Sequence, residues 1–413
     1  MQSLSGRRYT SSNDVGRAMS IDELRAQARR RLPRFVFEYL DGGAEDEVTL
    51  RRNREVFEQL QFLPRTLVAA GAVDMSTQIF GRPTASPMMI APVGFCGLLT
   101  RDGDLAMARA AAAFGMAFVQ STVSNTRLET VAEIEGLRRW MQLYVFRSRD
   151  SMETLVRRAE VAGCEALVVT TDATVFGNRE WDRRNYRVGT DPSLRNKIET
   201  LRHPRWLREV ALPGVPPFAN LLDMIPPEQR TLAGSATWTR YEVDPNLDWA
   251  RLAWLRSIWR GRLVIKGVLS VEDAARARDV GADGIVLTNH GGRQLDGVVS
   301  PMTVLPEIAA RFSGDLTILI DSGFRRGTDV VKALALGAHA VLIGRAAAYG
   351  LAAGGEAGAS RALTILHDEV RRTLALLGRP TLAQLGPDCI LQMRERRFEE
   401  QIDGEQVGSE KQL

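Results

Sequence analysis

Eight short apolar runs, each followed by a turn and then by a helical pattern, constrain this chain more than any other feature. The runs are MMIAPV (88–93), AFVQ (117–120), WMQLYV (140–145), ALVVTT (166–171), LVIKG (263–267), GIVLTN (284–289), TILID (317–321) and AVLIG (340–344). Between them lie stretches such as GDLAMARAAAAF (103–114), SMETLVRRAEVA (151–162), SVEDAARARDV (270–280) and TDVVKALALG (328–337). In these, apolar residues recur at three- and four-residue spacing, and several begin at Asp, Ser or Thr, which cap a helix by accepting from its free N–H groups. Continuous apolar strands are buried on both faces, and helical crossovers make them parallel. Eight such units predict an α/β chain closed into a (β/α)8 TIM barrel. An open doubly wound sheet is the rival, but no GxGxxG follows the first strand and no P-loop motif occurs.

The expected organisation is a tail over 1–19, one barrel domain over 20–390, and a C-terminal helix and tail over 391–413. Residues 20–40 and 44–60 read as helices before the barrel, and 359–377 and 389–401 as helices after it. The first 19 residues are polar and carry no apolar segment of the signal-peptide kind, so a frayed tail is expected there. One interval breaks the rhythm: 188–245, after the fourth strand, is rich in Pro and Gly without a clear period. A loop of that length is expected to be functional or disordered.

Composition narrows the function classes. At 413 residues and 45% hydrophobic, the chain can bury a large core. Its net charge of +4 suits an anionic substrate or an anionic membrane surface but is too mild to indicate nucleic acid. Cys96, Cys164 and Cys389 form neither a disulfide framework nor a zinc site, so no metal is expected and a reducing, cytoplasmic compartment is. No run of 18 or more uncharged apolar residues exists, which leaves peripheral attachment as the expected form of any membrane contact.

In such a barrel the C-terminal ends of the strands share one mouth. Polar residues collect at those ends: Ser121 and Thr122, Gln142 and Tyr144, Thr170 and Asp172, Lys266, His290 and Arg293, Asp321, then Gly344 and Arg345. Taken singly, each has a bland reading as a locally satisfied residue; it is their convergence that points to a site. DSGFRRG (321–327) and IGRA (343–346) put glycines and arginines beside the last two turns, where barrels hold phosphate, so a phosphorylated cofactor or substrate is expected. Lys266 then either stabilises negative charge on a reduced flavin or forms a Schiff base.

LTNHGGRQLD (287–296), LVIKGV (263–268), DSGFRRGTDVVKALALGA (321–338), MQLYV (141–145) and TTDATVFGNRE (170–180) resemble the FMN-dependent 2-hydroxy acid dehydrogenases and oxidases. LPRFVFEYLDGGAEDE (32–47) matches the N-terminal motif of that family, so the likeness spans roughly 20–390. STVSN (121–125), HPRW (203–206) and VSPM (299–302) are similar to the (S)-mandelate dehydrogenase branch. Glycolate oxidase has tryptophan where Val123 stands here.

The resemblance implies roles. His290 is the base that takes a proton from the substrate, and Asp172 fixes its other ring nitrogen. Arg179 and Arg293 hold the substrate carboxylate with help from Tyr39, while Tyr144 meets the hydroxyl or developing oxyanion. For FMN it implies Pro92, Val93 and Gly94 beside the ring, and Ser121, Gln142 and Thr170 at its polar edge. Lys266 lies at N1 and O2, and Asp321, Ser322, Gly323, Phe324 and Arg325 with Gly344 and Arg345 hold the ribityl phosphate. Several oxidases have alanine at the position of Gly94, so glycine leans towards a dehydrogenase. The implied reaction is oxidation of an (S)-2-hydroxy acid, (S)-mandelate or a related bulky substrate, with L-lactate or an oxygen-using oxidase as the alternative. A homotetramer and a membrane quinone acceptor are implied as partners. The basic stretch 195–208 followed by VALPGVPPFANLLDMIPP (210–227) suits a lipid interface, with a lid or a subunit contact as the rival expectation. A non-catalytic FMN-binding barrel would predict decay of the catalytic set, and the set is complete.

Overall fold

The structure, a computed structural model, describes residues 12–188 and 191–392. Its centre is a closed barrel of eight parallel strands: β1 Met88–Ile90, β2 Ala117–Gln120, β3 Arg138–Leu143, β4 Ala166–Thr170, β5 Arg262–Val268, β6 Gly284–Leu287, β7 Thr317–Ile320 and β8 Ala340–Ile343. Neighbours in sequence are neighbours in the barrel, and β8 closes on β1 with Val341 opposite Met88.

Side chains alternate across this wall. Met89, Val119, Trp140, Val168, Val286 and Leu319 fill the interior, while Ile90, Phe118, Met141 and Leu167 belong to the larger layer shared with the helices. The hairpin of Thr77–Ile79 and Arg82–Thr84 caps the N-terminal end, where Ile79 is buried and Phe80 packs 5.4 Å from Trp140. Crossover helices begin where the sequence places caps: Ser148 Oγ accepts from the Ser151 amide at 3.2 Å, and Ser270 Oγ from the Asp273 amide at 3.0 Å.

Four expectations about the flanks are corrected. The stretch 20–40 is two helices, Ile21–Arg31 and Arg34–Asp41, because Pro33 has no N–H and forces Leu32 into extended backbone. Only Val48–Glu55 of 44–60 is an α-helix. The chain is folded well before residue 20: Val15–Arg17 form a 3-10 turn, Ala18 is buried, and Arg361 donates to the Ala18 carbonyl. At the other end, Ile390–Gln392 pair antiparallel with Leu60–Phe62, so the segment expected to open a helix at 389 is a strand. The rest of that expected helix and residues 1–11 lie outside the described residues. The helix Arg345–Leu377 covers the expected 359–377 and is interrupted at Gly354–Gly355.

The interval 188–245 is neither a bare loop nor a uniformly exposed one. It carries helices Leu194–Thr200 and Leu232–Glu242, a π turn at Leu207–Ala211 and a 3-10 turn at Ala219–Leu221. Trp206, Val210, Phe218, Leu221 and Ile225 are buried in the main core, each worth about 1.5–3 kcal/mol. The apolar run over 210–227 thus divides between residues buried in the core and exposed ones such as Leu212, so only part of it is free to meet a lipid surface.

Candidate active site

The strand ends surround a cavity of about 290 Å³ at the C-terminal mouth of the barrel. Tyr39, Pro92, Val93, Gly94, Ser121, Gln142, Tyr144, Thr170, Arg179, Lys266, His290, Arg293, Asp321 to Arg325, Gly344 and Arg345 all line it. Asp172 does not; it stands behind His290, whose Nδ1 is 3.0 Å from Asp172 Oδ1. That contact occupies one ring nitrogen and leaves Nε2 for the cavity.

The backbone that carries His290 is unusual. His290, Gly291 and Gly292 all have left-handed φ values, 57°, 65° and 72°. A non-glycine residue there needs support, and three hydrogen bonds supply it. The His290 amide donates to Thr288 Oγ1 at 2.9 Å, the Gly291 amide to Ser322 Oγ at 3.1 Å, and the Gly292 amide to Asn289 Oδ1 at 3.1 Å. A Cβ on Gly292 would come within 2.8 Å of the Leu50 amide nitrogen, so the N-terminal helices press directly on this turn.

Burial pushes the Asp172 carboxyl up, but the charge and hydrogen bond of His290, with Lys266 beyond, hold it below the usual carboxylate range. It is thus kept ionised beside the imidazole, an arrangement that stabilises imidazolium when a proton arrives. Arg293 is anchored by one nitrogen: Nη1 donates to the Tyr39 and Gly42 carbonyls, both at 2.8 Å, and its guanidinium lies over the Tyr39 ring. Burial and the neighbouring Arg179 and Arg345 push it down to about 10. Asp182, 3.5 Å from Arg179, only partly offsets this crowding of positive charge. An anion in the cavity relieves it.

A polar ladder crosses three strand ends. Gln142 Oε1 accepts from the Thr122 amide at 3.1 Å and stands 3.3 Å from Ser121 Oγ, while its Nε2 donates to Thr170 Oγ1 at 3.0 Å. Beside it Lys266 is buried and donates to Asp321 Oδ2 at 2.9 Å and Thr288 Oγ1 at 3.1 Å. This ion pair supplies the negative partner that a buried ammonium needs, and Asp321 therefore braces Lys266. At the far end Arg325 donates to Tyr349 Oη at 3.0 Å, yet its Nη1 is buried with no partner among the described residues. Arg345 differs: its guanidinium donates to the carbonyls of Leu40, Gly291 and Gly42 and so ties the N-terminal segment to the histidine turn.

The family model for FMN-dependent dehydrogenase matches residues 28–392. The chain belongs to that family. (S)-Mandelate dehydrogenase of Pseudomonas putida is 42% identical over 372 residues, covering 90% of this chain and 93% of its own. L-Lactate dehydrogenase of Pectobacterium atrosepticum is 41% identical over 377 residues, covering 91% and 98%. Among solved structures, that of the monotopic membrane protein (S)-mandelate dehydrogenase superposes with a TM-score of 0.88 at 42% identity, covering 91% of this chain and all of that one. A mandelate oxidase variant with (S)-mandelic acid gives 0.76 at 36% identity, covering 92% and 99%.

As an FMN-dependent dehydrogenase the chain has a cavity that fits its cofactor. The unpartnered buried Nη1 of Arg325 and the amides at the start of the helix Arg345–Leu377 suit a phosphate, and the Ser121–Gln142–Thr170 ladder suits a polar ring edge. Gly323, at φ 93°, lies where a Cβ would meet the Asn53 carbonyl at 2.1 Å, so only glycine lets the Asn53 backbone pack against this end of the cavity.

Several lining residues carry no mark in the sequence. Phe95, Phe218 and Ala236 form apolar wall beside Val123 and Phe176, and Thr239 and Arg240 close another side. Phe176 sits inside a quoted family motif, so its place could have been read. Phe218, Ala236 and Arg240 lie in the aperiodic interval, where only the folded structure reveals which face points inward. Phe218 packs edge-on against Phe95 at 4.5 Å, and Phe95 against Tyr39 at 5.3 Å.

Proposed function

We propose that this FMN-dependent hydroxy acid dehydrogenase oxidises an (S)-2-hydroxy acid with an aromatic or otherwise bulky side chain, (S)-mandelate or a close relative, to the 2-oxo acid. The observation that carries the reading is a single cavity that joins two arginines, Arg179 and Arg293, to an apolar wall of Phe95, Val123, Phe176, Phe218 and Ala236. Arg179 and Arg293 bind the carboxylate, because a guanidinium fork matches its two oxygens. The apolar wall receives the side chain. His290 Nε2 accepts the proton that leaves the substrate, Asp172 stabilises the resulting imidazolium, and Tyr144 donates to the substrate oxygen. Tyr39, held against Arg293, adds a bond to the carboxylate. When bound, FMN takes up the two electrons released. Lys266 balances negative charge at its polar edge, and Arg325 holds its phosphate while Arg345 braces the surrounding backbone.

The names of the lactate dehydrogenase relatives favour a second reading, L-lactate as substrate, with oxygen as an alternative acceptor. The two are separated by anaerobic titration of the flavin with (S)-mandelate, L-lactate and glycolate, followed by reoxidation with a quinone analogue or with oxygen. Bleaching by (S)-mandelate at a far higher kcat/KM than by L-lactate supports the bulky substrate; the reverse order sinks it. His290→Ala should keep FMN and bleach orders of magnitude more slowly, and normal bleaching by that variant would mean the base is misassigned.

For the electrons we propose a quinone at the membrane surface. No helix among the described residues is long and apolar enough to cross a bilayer. On Leu194–Thr200 and just beyond, Leu194, Ile198 and Leu201 recur at helical spacing and are 66%, 59% and 69% exposed, with Leu212 at 79%. Arg195, Arg202 and Arg208 flank them. An apolar face rimmed by arginines suits peripheral attachment to an anionic leaflet. A homotetramer stays part of the proposal, tested by light scattering.

A further inference from the structure

Beside the active-site cavity lies a second, more open hollow of about 420 Å³, lined by Arg147, Val175, Asn178, Arg183 and others, and sharing Phe176 and Arg240 with that cavity. No aspartate or glutamate lines it. Some arginines elsewhere on this surface have carboxylate partners, as in Arg34–Glu38, Arg127–Asp223 and Arg311–Glu307. The three here have none among the described residues: Arg183 donates to Asn178 Oδ1 at 2.9 Å, Arg240 lies 5.9 Å from the Phe176 ring, and Arg147 is exposed. Uncompensated cations converging on a concave surface focus a positive potential into it, which raises the local concentration of anions.

The walls are held firmly. A Cβ on Gly177 would come within 2.5 Å of the Arg293 carbonyl, and the Gly177 amide donates to Gln294 Oε1 at 2.9 Å. Gln294 in turn donates to the Asp172 carbonyl at 3.1 Å, so this wall is built on the same loops as the base and its partner. Opposite, the Arg147 amide donates to the Glu242 carbonyl at 2.8 Å and the Asp244 amide to the Val145 carbonyl at 2.8 Å, which fixes Arg147 against the end of the helix that bears Arg240.

We propose that this hollow is a receiving site for the substrate anion: Arg147 and Arg183 draw in a small 2-hydroxy carboxylate, which passes Phe176 and Arg240 to reach Arg179 and Arg293. The inference rests on the reading of the substrate as a 2-hydroxy acid. It explains why two side chains belong to both spaces, and it gives the net basic charge of the chain a local use.

The test is anaerobic stopped-flow reduction of the FMN-loaded protein by (S)-mandelate and by L-lactate, for the native chain and for Arg147→Gln with Arg183→Gln. At about 10 mM salt the second-order rate constant of the double variant should fall about threefold to tenfold, and the gap should close near about 0.5 M salt as screening sets in. The limiting rate at saturation and the FMN content should not change. A native rate constant that ignores salt, or a double variant equal to native at low salt, overturns the proposal. If neither acid bleaches the native flavin, the reading of the reaction fails instead. The association rate of benzoylformate, followed through the flavin absorbance, then still tests the hollow, and an unchanged rate in the double variant sinks it.

Discussion

His290 Nδ1 and Asp172 Oδ1 stand 3.0 Å apart, while the other oxygen of that carboxylate is buried without a partner among the described residues. The carboxylate is therefore aimed at one acceptor of its charge, and Asp172→Asn keeps the shape but removes the charge. Flavin reduction should slow by about 10²–10⁴-fold with FMN still bound. A variant reduced at the native rate would show that the carboxylate only fills space.

Lys266 and Asp321 form the most buried ion pair at the site. Removing one partner leaves the other charge stranded, which costs about 3–5 kcal/mol. Lys266→Met should thus lower the unfolding free energy and FMN retention together, and Lys266→Met with Asp321→Asn should recover much of the stability without recovering activity. Denaturant unfolding and flavin content per chain read the two effects separately.

Gly94 tests the packing beside the ring. A Cβ there would lie 2.6 Å from Val123 Cγ2, so Gly94→Ala should overpack the wall at a cost of about 1–3 kcal/mol, seen as weaker FMN binding. Val123→Ala in the same chain should relieve it. Two effects that simply add would show that the residues do not press on each other.

Asp104 gives a pH dependence whose sign is fixed. It is fully buried under the 121–126 loop, where Oδ2 accepts from the Asn125 amide at 3.0 Å and Oδ1 has no hydrogen-bond partner among the described residues, and burial pushes it up to about 6. A carboxyl raised on folding contributes stability that is present below its ordinary value of 3.8 and is lost as pH rises through about 6. Asp104→Asn should therefore gain on the native chain across that window by up to about 3 kcal/mol. Equal pH profiles for the two proteins would remove the assignment.

For membrane attachment the telling variant is Leu194→Ser, Ile198→Ser and Leu201→Ser together. It should move the protein from the membrane to the soluble fraction while flavin reduction stays near native. Deleting 210–227 is uninformative by comparison, since Val210, Phe218, Leu221 and Ile225 are core residues.

The barrel is legible in the sequence because each strand is buried on both faces and reads as an unbroken apolar run. The strand-end residues are legible for the same reason, since strand order fixes where they emerge. The aperiodic interval is not, because its buried residues are chosen by the surface they land on and follow no period of their own. Phe218 could not be told from Leu212 by pattern, yet one is buried in the cavity wall and the other exposed. Nor could LPRFVFEYLD show where one helix stops, until Pro33 is seen to deny the bond that would continue it. Arg345 is legible from its neighbours as a residue of the phosphate end, but its three bonds to the Leu40, Gly42 and Gly291 carbonyls are visible only in the fold.

Asn220 donates to the Ser121 carbonyl and accepts from the Leu128 amide, and Asn125 donates to the Pro216 carbonyl. The segment around 216–221 is thereby mortised into the loop that follows β2, with Phe218 as its tenon. Anyone trimming this chain to make it easier to purify has to leave that joint whole. Cutting through the joint would open the catalytic chamber from the side and let water in where the substrate's side chain should sit.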